Sequence, residues 1–425
     1  MAYVGDEQTE HLLFCLLENS PNLSEIHLKS IRRNGLQLIA SLCGPALRVI
    51  DASVTHDVDI LQSICKACPN LRVLNLGCTI VGEPGDGIIQ AAVQYCPNIE
   101  VVPSDPRWRL TSAGVNALAD IHTLRELTAI HVTNTSESVQ RVIEANPHLT
   151  KIFVFGPLVD DALVNCIGRC CGNLKNIKLI PMPETSISEG ALINLFRGCP
   201  LLMSVNMNLR SMSNAALRAM FHYCRGIFDL DLGLNNLPAS TSGQADEPVL
   251  AVDYPSPMML MIHGRGFKDS VLRDIFTHCT SLIAVSMNEC VELTDETLFT
   301  LARCRCGQLS AVELSGCIKV TATSLNEVVT RCIHLMLLKL GDVTLTAEVL
   351  AGVSNLRLLQ ILEFNDCKGP ITEEAIVLIA TRCTNLCQFK ISGYKSKITP
   401  TLECMRKGEL FDHTNFEIYR HSDST

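Results

Sequence analysis

Cysteine is the residue whose number and spacing most suggest chemistry in this sequence. The chain contains 21 cysteines among 425 residues, and three of them, Cys290, Cys304 and Cys306, lie within one short segment. Closely spaced thiolates can bind zinc, exchange electrons or act as nucleophiles. Cys65 and Cys68 also match a Cys-x-x-Cys pattern, but no second pair at zinc-finger spacing follows. The alternative is that the thiols are buried side chains of a repeated structure.

One sequence frame recurs along most of the chain. It consists of a cysteine, two residues, a leucine, two residues, an apolar residue, one residue and a further apolar residue, as in "CGQLSAVELSGC" (306–317). Its first leucine or isoleucine recurs at intervals of 24 to 28 residues, with one interval of 55 residues. A degenerate copy at 258–279 lies inside that long interval and brings the predicted strand segments to fifteen. In the other copies, the first leucine or isoleucine of the frame is Leu23, Leu47, Leu71, Ile99, Leu124, Leu149, Leu174, Leu202, Ile227, Leu282, Leu309, Leu335, Leu359 or Leu386.

Each copy predicts a short strand followed by a helix. The alternation of apolar and other residues after the first leucine is typical of a strand with one buried face. The segments that follow carry apolar residues at helical spacing, for example at Leu325 and Val328. Threonines stand where an N-cap hydroxyl is needed, and acidic residues follow in the first turn, where the helix dipole favours them. These threonines are Thr294, Thr321 and Thr372.

A unit of about 26 residues cannot bury its apolar faces alone, so neighbouring units must stack into one continuous core. We therefore expect an α/β horseshoe solenoid of about fifteen strand-turn-helix units, with a parallel sheet on the concave side. The frame resembles the cysteine-containing leucine-rich repeat that is common in the substrate-binding half of F-box proteins. The resemblance implies a leucine-rich-repeat fold over residues 20–392.

The regions outside the regular repeat also carry expectations. Residues 1–19 are predicted to form a capping helix, and residues 393–425 a C-terminal cap and tail with an edge strand at 414–420. Residues 235–257 interrupt the repeat with Pro, Ser, Gly and acidic residues, so we expect a mobile loop there. That loop is a tolerated insertion, or else a lid, a second contact near the binding surface or a segment phosphorylated at Ser240 or Ser242.

The repeat assigns a place to most of the cysteines. Ten precede the first leucine or isoleucine of a repeat, and four lie at the strand exit. Free cysteine behaves as a small buried hydrophobe, so these thiols are interpreted as packing, and neither a metal nor another cofactor is expected. The ten are Cys43, Cys68, Cys96, Cys171, Cys199, Cys224, Cys279, Cys306, Cys332 and Cys383, and the four are Cys78, Cys290, Cys317 and Cys367.

Composition and motifs argue against several classes of function. The net charge is −9 and no run of Lys or Arg exceeds a pair, so we expect no nucleic-acid partner. No apolar stretch approaches the roughly 20 residues of a membrane span, and no secretory signal is recognisable. We therefore expect a protein of the cytoplasm, with the nucleus as the alternative. The sequence shows none of the phosphate-loop, nucleophile or metal motifs of enzymes, so we expect no catalysis.

The residues between the inward leucines are the default contact surface of such a solenoid. In the middle of the array they combine aromatic residues, methionines and charges, as interface cores do. The sequence therefore predicts a partner-binding site on the concave face with the candidate residues Phe153, Phe155, Lys178, Asn206, Asn208, Asp229, Asp231, Met259, Met261 and His263. The alternative is that an apolar member of this set is covered by a neighbouring loop. Further along, Glu313, Lys339, Glu363 and Lys390 alternate in sign and are predicted to pair with one another.

Two hypotheses about function follow. The first is a non-catalytic scaffold that binds a protein or peptide on its concave face. The resemblance to F-box proteins implies a specific form of it, substrate recognition for a ubiquitin ligase. Only nineteen residues precede the first repeat, so no F-box is expected and contact with the ligase adaptor would need another chain. The second hypothesis is an inhibitor or regulator that wraps a target enzyme, as ribonuclease inhibitor does, with its acidic charge steering it toward a basic partner.

Overall fold

The computed structural model describes most of the chain. The described residues are 7–54, 58–78, 86–102, 110–129, 136–235, 248–250, 253–255, 257–369, 371–393 and 415–419. They belong to two compact units, Met1–Leu202 and Met203–Thr425. Within these described ranges, no helix has both the length and the apolar character that crossing a membrane requires.

The first unit alternates strands with helices at the period that the repeat predicts. Strands β1, β2 and β3 pair in parallel, and β4, β5 and β6 form a further parallel set. The strands are β1 Glu25–Ile31, β2 Val49–Val54, β3 Val73–Cys78, β4 Glu126–Ala129, β5 Lys151–Gly156 and β6 Asn176–Pro181. The helices are α1 Glu7–Asn19, α2 Arg33–Leu42, α3 Val58–Ala67, α4 Asp86–Tyr95, α5 Ser112–Ala119, α6 Ser136–Ala145, α7 Asp161–Cys170 and α8 Glu189–Gly198.

The predicted strand after Ile99 is described only as far as Val102. Val101 pairs in parallel with Val73, and the N–H of Leu74 donates to the carbonyl of Val101 at 2.9 Å. The rest of this predicted strand lies outside the described residues. The other fourteen predicted segments form strands β1–β14.

The second unit forms one parallel sheet in which β7 to β15 lie in sequence order. Its strands are β7 Ser204–Leu209, β8 Asp229–Leu234, β9 Met259–His263, β10 Ala284–Asn288, β11 Ala311–Ser315, β12 Leu337–Gly341, β13 Ile361–Asn365, β14 Gln388–Ser392 and β15 Asn415–Tyr419. Its helices are α9 Asn214–Tyr223, α10 Asp269–His278, α11 Asp295–Arg305, α12 Ala322–Arg331, α13 Ala347–Val353 and α14 Glu373–Arg382. The predicted fold class, an α/β leucine-rich-repeat solenoid with parallel strands, is confirmed.

Burial follows the two periodicities of the repeat. In β11, Val312 and Leu314 are buried, whereas the residues on either side of them are only half-buried. The helix that follows buries Leu325 and Val328 on one stripe. Leu309, the first leucine of the frame, is fully buried at the corner where the chain turns into the strand. The core of each unit therefore lies between its sheet and its row of helices, and the other side of the sheet faces solvent.

The predicted N-caps are confirmed, and the acidic residues beside them have a second role. The Thr321 hydroxyl accepts a hydrogen bond from the N–H of Thr323, two residues into its own helix. Asp295, in the first turn of the preceding helix, accepts bonds from the Thr321 N–H and hydroxyl, both at 2.7 Å, and from the Ser324 hydroxyl. Burial alone would raise the pKa of Asp295, but these hydrogen bonds outweigh it and lower that pKa. The carboxylate thus links the N-termini of consecutive helices.

One repeat without the leading cysteine holds an asparagine in its place. Asn146 is fully buried and makes three hydrogen bonds. Its Nδ2 donates to the carbonyls of Ile121 and Val142 at 2.7 and 2.9 Å, and its Oδ1 accepts from the N–H of Leu124 at 2.9 Å. The amide therefore bonds to the N–H of Leu124 and the carbonyl of Ile121 in the preceding repeat, and to the carbonyl of Val142 in helix α6.

Replacing Asn146 by alanine is expected to lower the free energy of unfolding by about 2–3 kcal/mol, because it leaves buried backbone groups without partners. Asn146→Cys restores the residue that most other repeats carry here and should cost less than Asn146→Ala. Urea denaturation of both variants against wild type measures the difference. Equal stability of Asn146→Ala and wild type would show that the three hydrogen bonds contribute nothing.

The segment between β8 and β9 departs from the expected mobile loop. Of residues 235–257, the part 236–247 lies outside the described residues, but Val249, Leu250 and Tyr254 are buried. Tyr254 packs its ring edge-on against Phe221 at a centroid distance of 5.3 Å, and its hydroxyl donates to the carbonyl of Cys224. The prediction of a mobile loop was wrong for these three residues, because they are buried and Tyr254 packs against helix α9.

Truncation of Tyr254 is expected to separate its packing from its hydrogen bond. Tyr254→Phe keeps the ring and should cost about 1–2 kcal/mol, the value of one buried hydrogen bond. Tyr254→Ala also opens a cavity and should cost about 3–5 kcal/mol. Chemical denaturation of the two variants tests this order. A Tyr254→Ala protein as stable as Tyr254→Phe would mean that the ring fills no space in the core.

Candidate functional site

The repeat cysteines lie at the corner where each helix ends. The N–H of Cys279 donates to the carbonyl of Ile275, and that of Cys383 to the carbonyl of Ile379, both at 2.8 Å. Eight of the ten corner cysteines are buried, which confirms the packing interpretation for them, while Cys43 and Cys306 are half-buried. Three of the four strand-exit cysteines are buried as well, and the side chain of Cys78 lies outside the described part.

The environment of these thiols opposes thiolate chemistry. Burial raises the pKa of Cys279 to about 12 and that of Cys383 to about 11, so both thiols stay protonated near neutral pH. The pKa of Cys68, in the Cys-x-x-Cys pair, is raised to about 12 by burial and then by the neighbouring thiols of Cys43 and Cys96. Since the thiolate is the nucleophile, burial makes Cys68, Cys279 and Cys383 poorly reactive. Among the described residues, no group of three or more His, Cys, Asp or Glu is arranged to hold a metal ion.

Thiol labelling of the native chain is expected to separate the exposed from the corner cysteines. Cys304 and Cys387 are exposed and should react with a maleimide within minutes, whereas Cys279 and Cys383 should react only after unfolding. Mass spectrometry of tryptic peptides measures the labelled fraction at each position. Labelling of Cys279 as fast as Cys304 in the native protein would contradict the packing assignment.

The ten residues predicted to bind a partner fall into two groups, one in each unit. The first-unit group, Phe153, Phe155 and Lys178, lies on β5 and β6 and faces solvent. Both phenylalanine rings are half-buried, and a lysine lies over each of them. The Nζ of Lys151 is 4.9 Å from the centroid of the Phe153 ring, and the Nζ of Lys178 is 5.5 Å from that of Phe155. Cation–π contacts with lysines therefore reduce the exposure of these aromatic faces.

The second-unit group contains the remaining seven residues, Asn206, Asn208, Asp229, Asp231, Met259, Met261 and His263, on β7, β8 and β9. The register places Asp229 between Ser204 and Met259, and Asp231 between Asn206 and Met261. Their side chains therefore lie side by side on the solvent face of one sheet. Met259 is exposed, and the other six are half-buried.

The two carboxylates of this group differ in their hydrogen bonding. Asp231 accepts from Asn206 Nδ2, and its Oδ1 lies 3.6 Å from His263 Nδ1. Asp229 accepts from the Ser204 hydroxyl at 3.0 Å through Oδ2. Its Oδ1 is buried and has no hydrogen-bond partner within the described part of the chain. An unpaired buried carboxylate oxygen is costly, so Asp229 is the group on this face that would gain most from a donor.

Gly233 makes room for the histidine of this face. A Cβ atom at Gly233 would overlap the imidazole of His263 on the neighbouring strand. His263 and Gly233 are register partners, so the absence of a side chain on β8 lets the ring lie across it. The imidazole thereby reaches toward Asp231 from the next strand.

At the far end of the same sheet, the predicted pairing of charged residues is confirmed for Glu313, Lys339 and Glu363. The Nζ of Lys339 lies 3.0 Å from Glu313 and 3.9 Å from Glu363. Burial acts to lower the pKa of Lys339, but the hydrogen bond and charge of Glu313, together with Glu363, raise it overall. Strands β11–β13 therefore satisfy their own charges, whereas β7–β9 leave a carboxylate oxygen without a donor.

Sequence reasoning missed a row of apolar residues at the edge where the chain enters the strands. Met203, Phe228 and Met258 are 39%, 42% and 42% exposed, and each lies one residue before a strand. Ile283, in the same position before β10, is half-buried. In the aligned repeats, four successive units carry an apolar residue at this position. The position precedes the strand, so it lies outside the alternation of inward and outward residues. These four residues are called the entry stripe.

Comparisons with known proteins find distant structural similarity. No protein-family model matches the sequence. The crystal structure of the Rad7 and Elc1 complex in yeast aligns over 96% of this chain and 86% of the matched chain, with 13% identity and a TM-score of 0.44. The crystal structure of the TLR13–ssRNA13 complex aligns over 88% of this chain and 64% of the matched chain, with 11% identity and a TM-score of 0.42. Identities this low carry no information about the partner of this chain.

Proposed function

We propose that the chain is a non-catalytic scaffold that binds a protein or peptide on the solvent face of its sheets. The second-unit group is the principal contact, and the first-unit group is a further contact. The observation that carries the proposal is the exposed Met259 beside Asp229, whose Oδ1 accepts no hydrogen bond within the described residues. Apolar surface next to a charge that lacks a partner is typical of a surface that is completed by another molecule.

The composition of neighbouring strands supports this choice of surface. Strands β7–β10 are described in full, and their solvent-facing positions hold two aspartates and neither lysine nor arginine. On β11–β13 the carboxylates have a lysine between them. The fold therefore allows a lysine to pair with carboxylates on this face. The lack of a lysine or arginine on β7–β10 is a property of the sequence of those strands and not of the fold.

A narrower form of the proposal is substrate recognition for a ubiquitin ligase. Its support is the resemblance of the cysteine-containing repeat to the substrate-binding half of F-box proteins, and the adaptor would then bind through another chain. Copurification of a cullin and its adaptor with the tagged chain tests this form. Their absence from a preparation that retains a specific partner would leave the scaffold without a ligase role. Such a scaffold acts in the cytoplasm or the nucleus.

A second candidate is a regulator that wraps a target enzyme. The net charge of −9 and the two aspartates without a facing lysine or arginine favour it, since an acidic face attracts a basic target. Association of such a pair should slow markedly as salt is added. Inhibition of a copurified enzyme would support this candidate, whereas a partner with no enzymatic activity would exclude it.

Replacement of the apolar side chains should weaken binding without unfolding the chain. The double variant Phe153→Ala/Met261→Ala is expected to lose about tenfold or more in affinity for a copurified partner, since truncating an interface anchor costs upward of 1–2 kcal/mol. Glu363→Gln, at the self-paired end of the same face, is the control and should bind as wild type does. Affinity purification with quantitative mass spectrometry, checked by circular dichroism, measures both. A partner that the double variant retains fully would place binding elsewhere on the chain.

A further inference from the structure

The entry stripe forms a continuous edge in the second unit. The N–H of Phe228 donates to the carbonyl of Met203, that of Met258 to the carbonyl of Phe228, and that of Ile283 to the carbonyl of Met258, each at 2.9 Å. Strands joined by such bonds lie about 4.8 Å apart, so the four side chains follow one another along the edge at that spacing. Three of them are more than a third exposed.

The fold does not require apolar residues at this position. Equivalent residues in the first unit make the same backbone bonds with polar or charged side chains, and they are Ser24, Arg48, Arg72, Glu100, Arg125, Thr150 and Lys175. Later in the second unit, Ser310, Met336, Gln360 and Cys387 hold the position, and Met336 is 39% exposed. Among the described residues, four successive apolar side chains at this position occur only before β7–β10, and their exposure gives them no stabilising role in the core.

The stripe lies directly beside the unpaired carboxylate. Phe228 and Met258 immediately precede Asp229 and Met259, which are register partners at the start of β8 and β9. Successive residues of a strand are about 3.3 Å apart. A partner segment that contacts the stripe is therefore close enough for one of its side chains to reach Asp229. Asp231 lies two residues further along the same face. Apolar surface and negative charge therefore meet at one place, while the same face of β7–β10 offers no lysine or arginine to neutralise it.

We propose that the entry stripe together with Asp229 and Asp231 binds a protein segment that presents an apolar side chain to the stripe and a lysine or arginine to the carboxylates. The inference rests on the proposed scaffold function and names the chemistry of its partner. Neutral donors hold both aspartates, Ser204 for Asp229 and Asn206 for Asp231, and no lysine or arginine on β7–β10 neutralises their charge. A guanidinium or ammonium donor gives a charge-assisted bond there, which is stronger than a bond between neutral groups.

A second copy of the chain is the poorer occupant of this surface. Two copies that met stripe against stripe would bring the Asp229 and Asp231 side chains of both into one interface. Like charges brought together at an interface are unfavourable, and the chain carries a net charge of −9. A basic segment from another protein removes that repulsion and supplies the missing donor.

The test uses the full-length chain and a phage-displayed library of random dodecapeptides. Wild type should enrich peptides in which a lysine or arginine lies close to an apolar or aromatic residue. The affinity of a synthetic peptide of this kind, measured by calorimetry, should fall about tenfold or more for Asp229→Asn/Asp231→Asn and for Phe228→Ser. Glu363→Gln should leave it unchanged. A peptide whose basic residue is replaced by glutamine should bind both wild type and the aspartate variant equally weakly, since the interacting pair is already broken.

Each other result overturns the inference in an identifiable way. Enriched peptides that keep their affinity for the aspartate variant but lose it with Met259→Ser/Met261→Ser would refute the basic partner and leave the scaffold proposal standing. Enrichment of acidic peptides whose affinity falls with Met259→Ser/Met261→Ser would also refute the basic partner and leave the scaffold proposal standing. If no enriched peptide responds to any of these variants, both proposals fail. Concentration-dependent self-association of wild type that Phe228→Ser abolishes would assign the stripe to a second copy and refute the proposal.

Discussion

A single strand-helix unit of this chain cannot bury its own inward leucines, and the other features of the structure depend on that constraint. Each unit completes the core of the next, so the leucine at the corner and the apolar residues of the strand must recur at nearly constant intervals. Leu309, Val312 and Leu314 illustrate the inward set, all of them buried. Because burial on one side of the sheet satisfies the fold, the residues on the solvent side are free to differ from unit to unit.

Two exceptions show what the corner of each repeat requires. Most corners are filled by a buried cysteine, but Asn146 occupies one of them and satisfies three backbone groups with its amide. In the repeat that lacks a helix among the described residues, Tyr254 fills the space and donates its hydroxyl to the carbonyl of Cys224. Filled volume and satisfied backbone polar groups are thus the requirement, and the thiol is one way to meet it.

The solvent face of the second unit divides into two parts with different electrostatics. On β11–β13, Lys339 lies between two glutamates, and the strand spacing lets each charge meet its opposite. On β7–β9, Asn206 and Ser204 stabilise the aspartates through neutral donors, and Oδ1 of Asp229 has no partner within the described residues. Neutral donors hold a carboxylate in place but leave its charge available. That difference, together with the exposed methionines, is why the proposed binding surface lies at β7–β9.

The sequence by itself determined the architecture. A period near 25 residues, leucines and cysteines at fixed positions and threonine caps predict parallel strands with helices behind them, because side-chain direction in strands and helices follows from spacing alone. The pairing of Lys339 with Glu313 was predictable for the same reason. The binding residues were predictable only as positions that face solvent.

The tertiary structure decided which side chains have partners and which apolar residues are exposed. The lysine over Phe155, the oxygen of Asp229 that accepts no hydrogen bond from the described residues and the buried Tyr254 depend on distances between residues of different repeats. The entry stripe was not predictable from alternation, because its residues lie at the bend before each strand. Alternation governs side-chain direction only inside a regular strand, so at that bend the backbone path alone determines exposure.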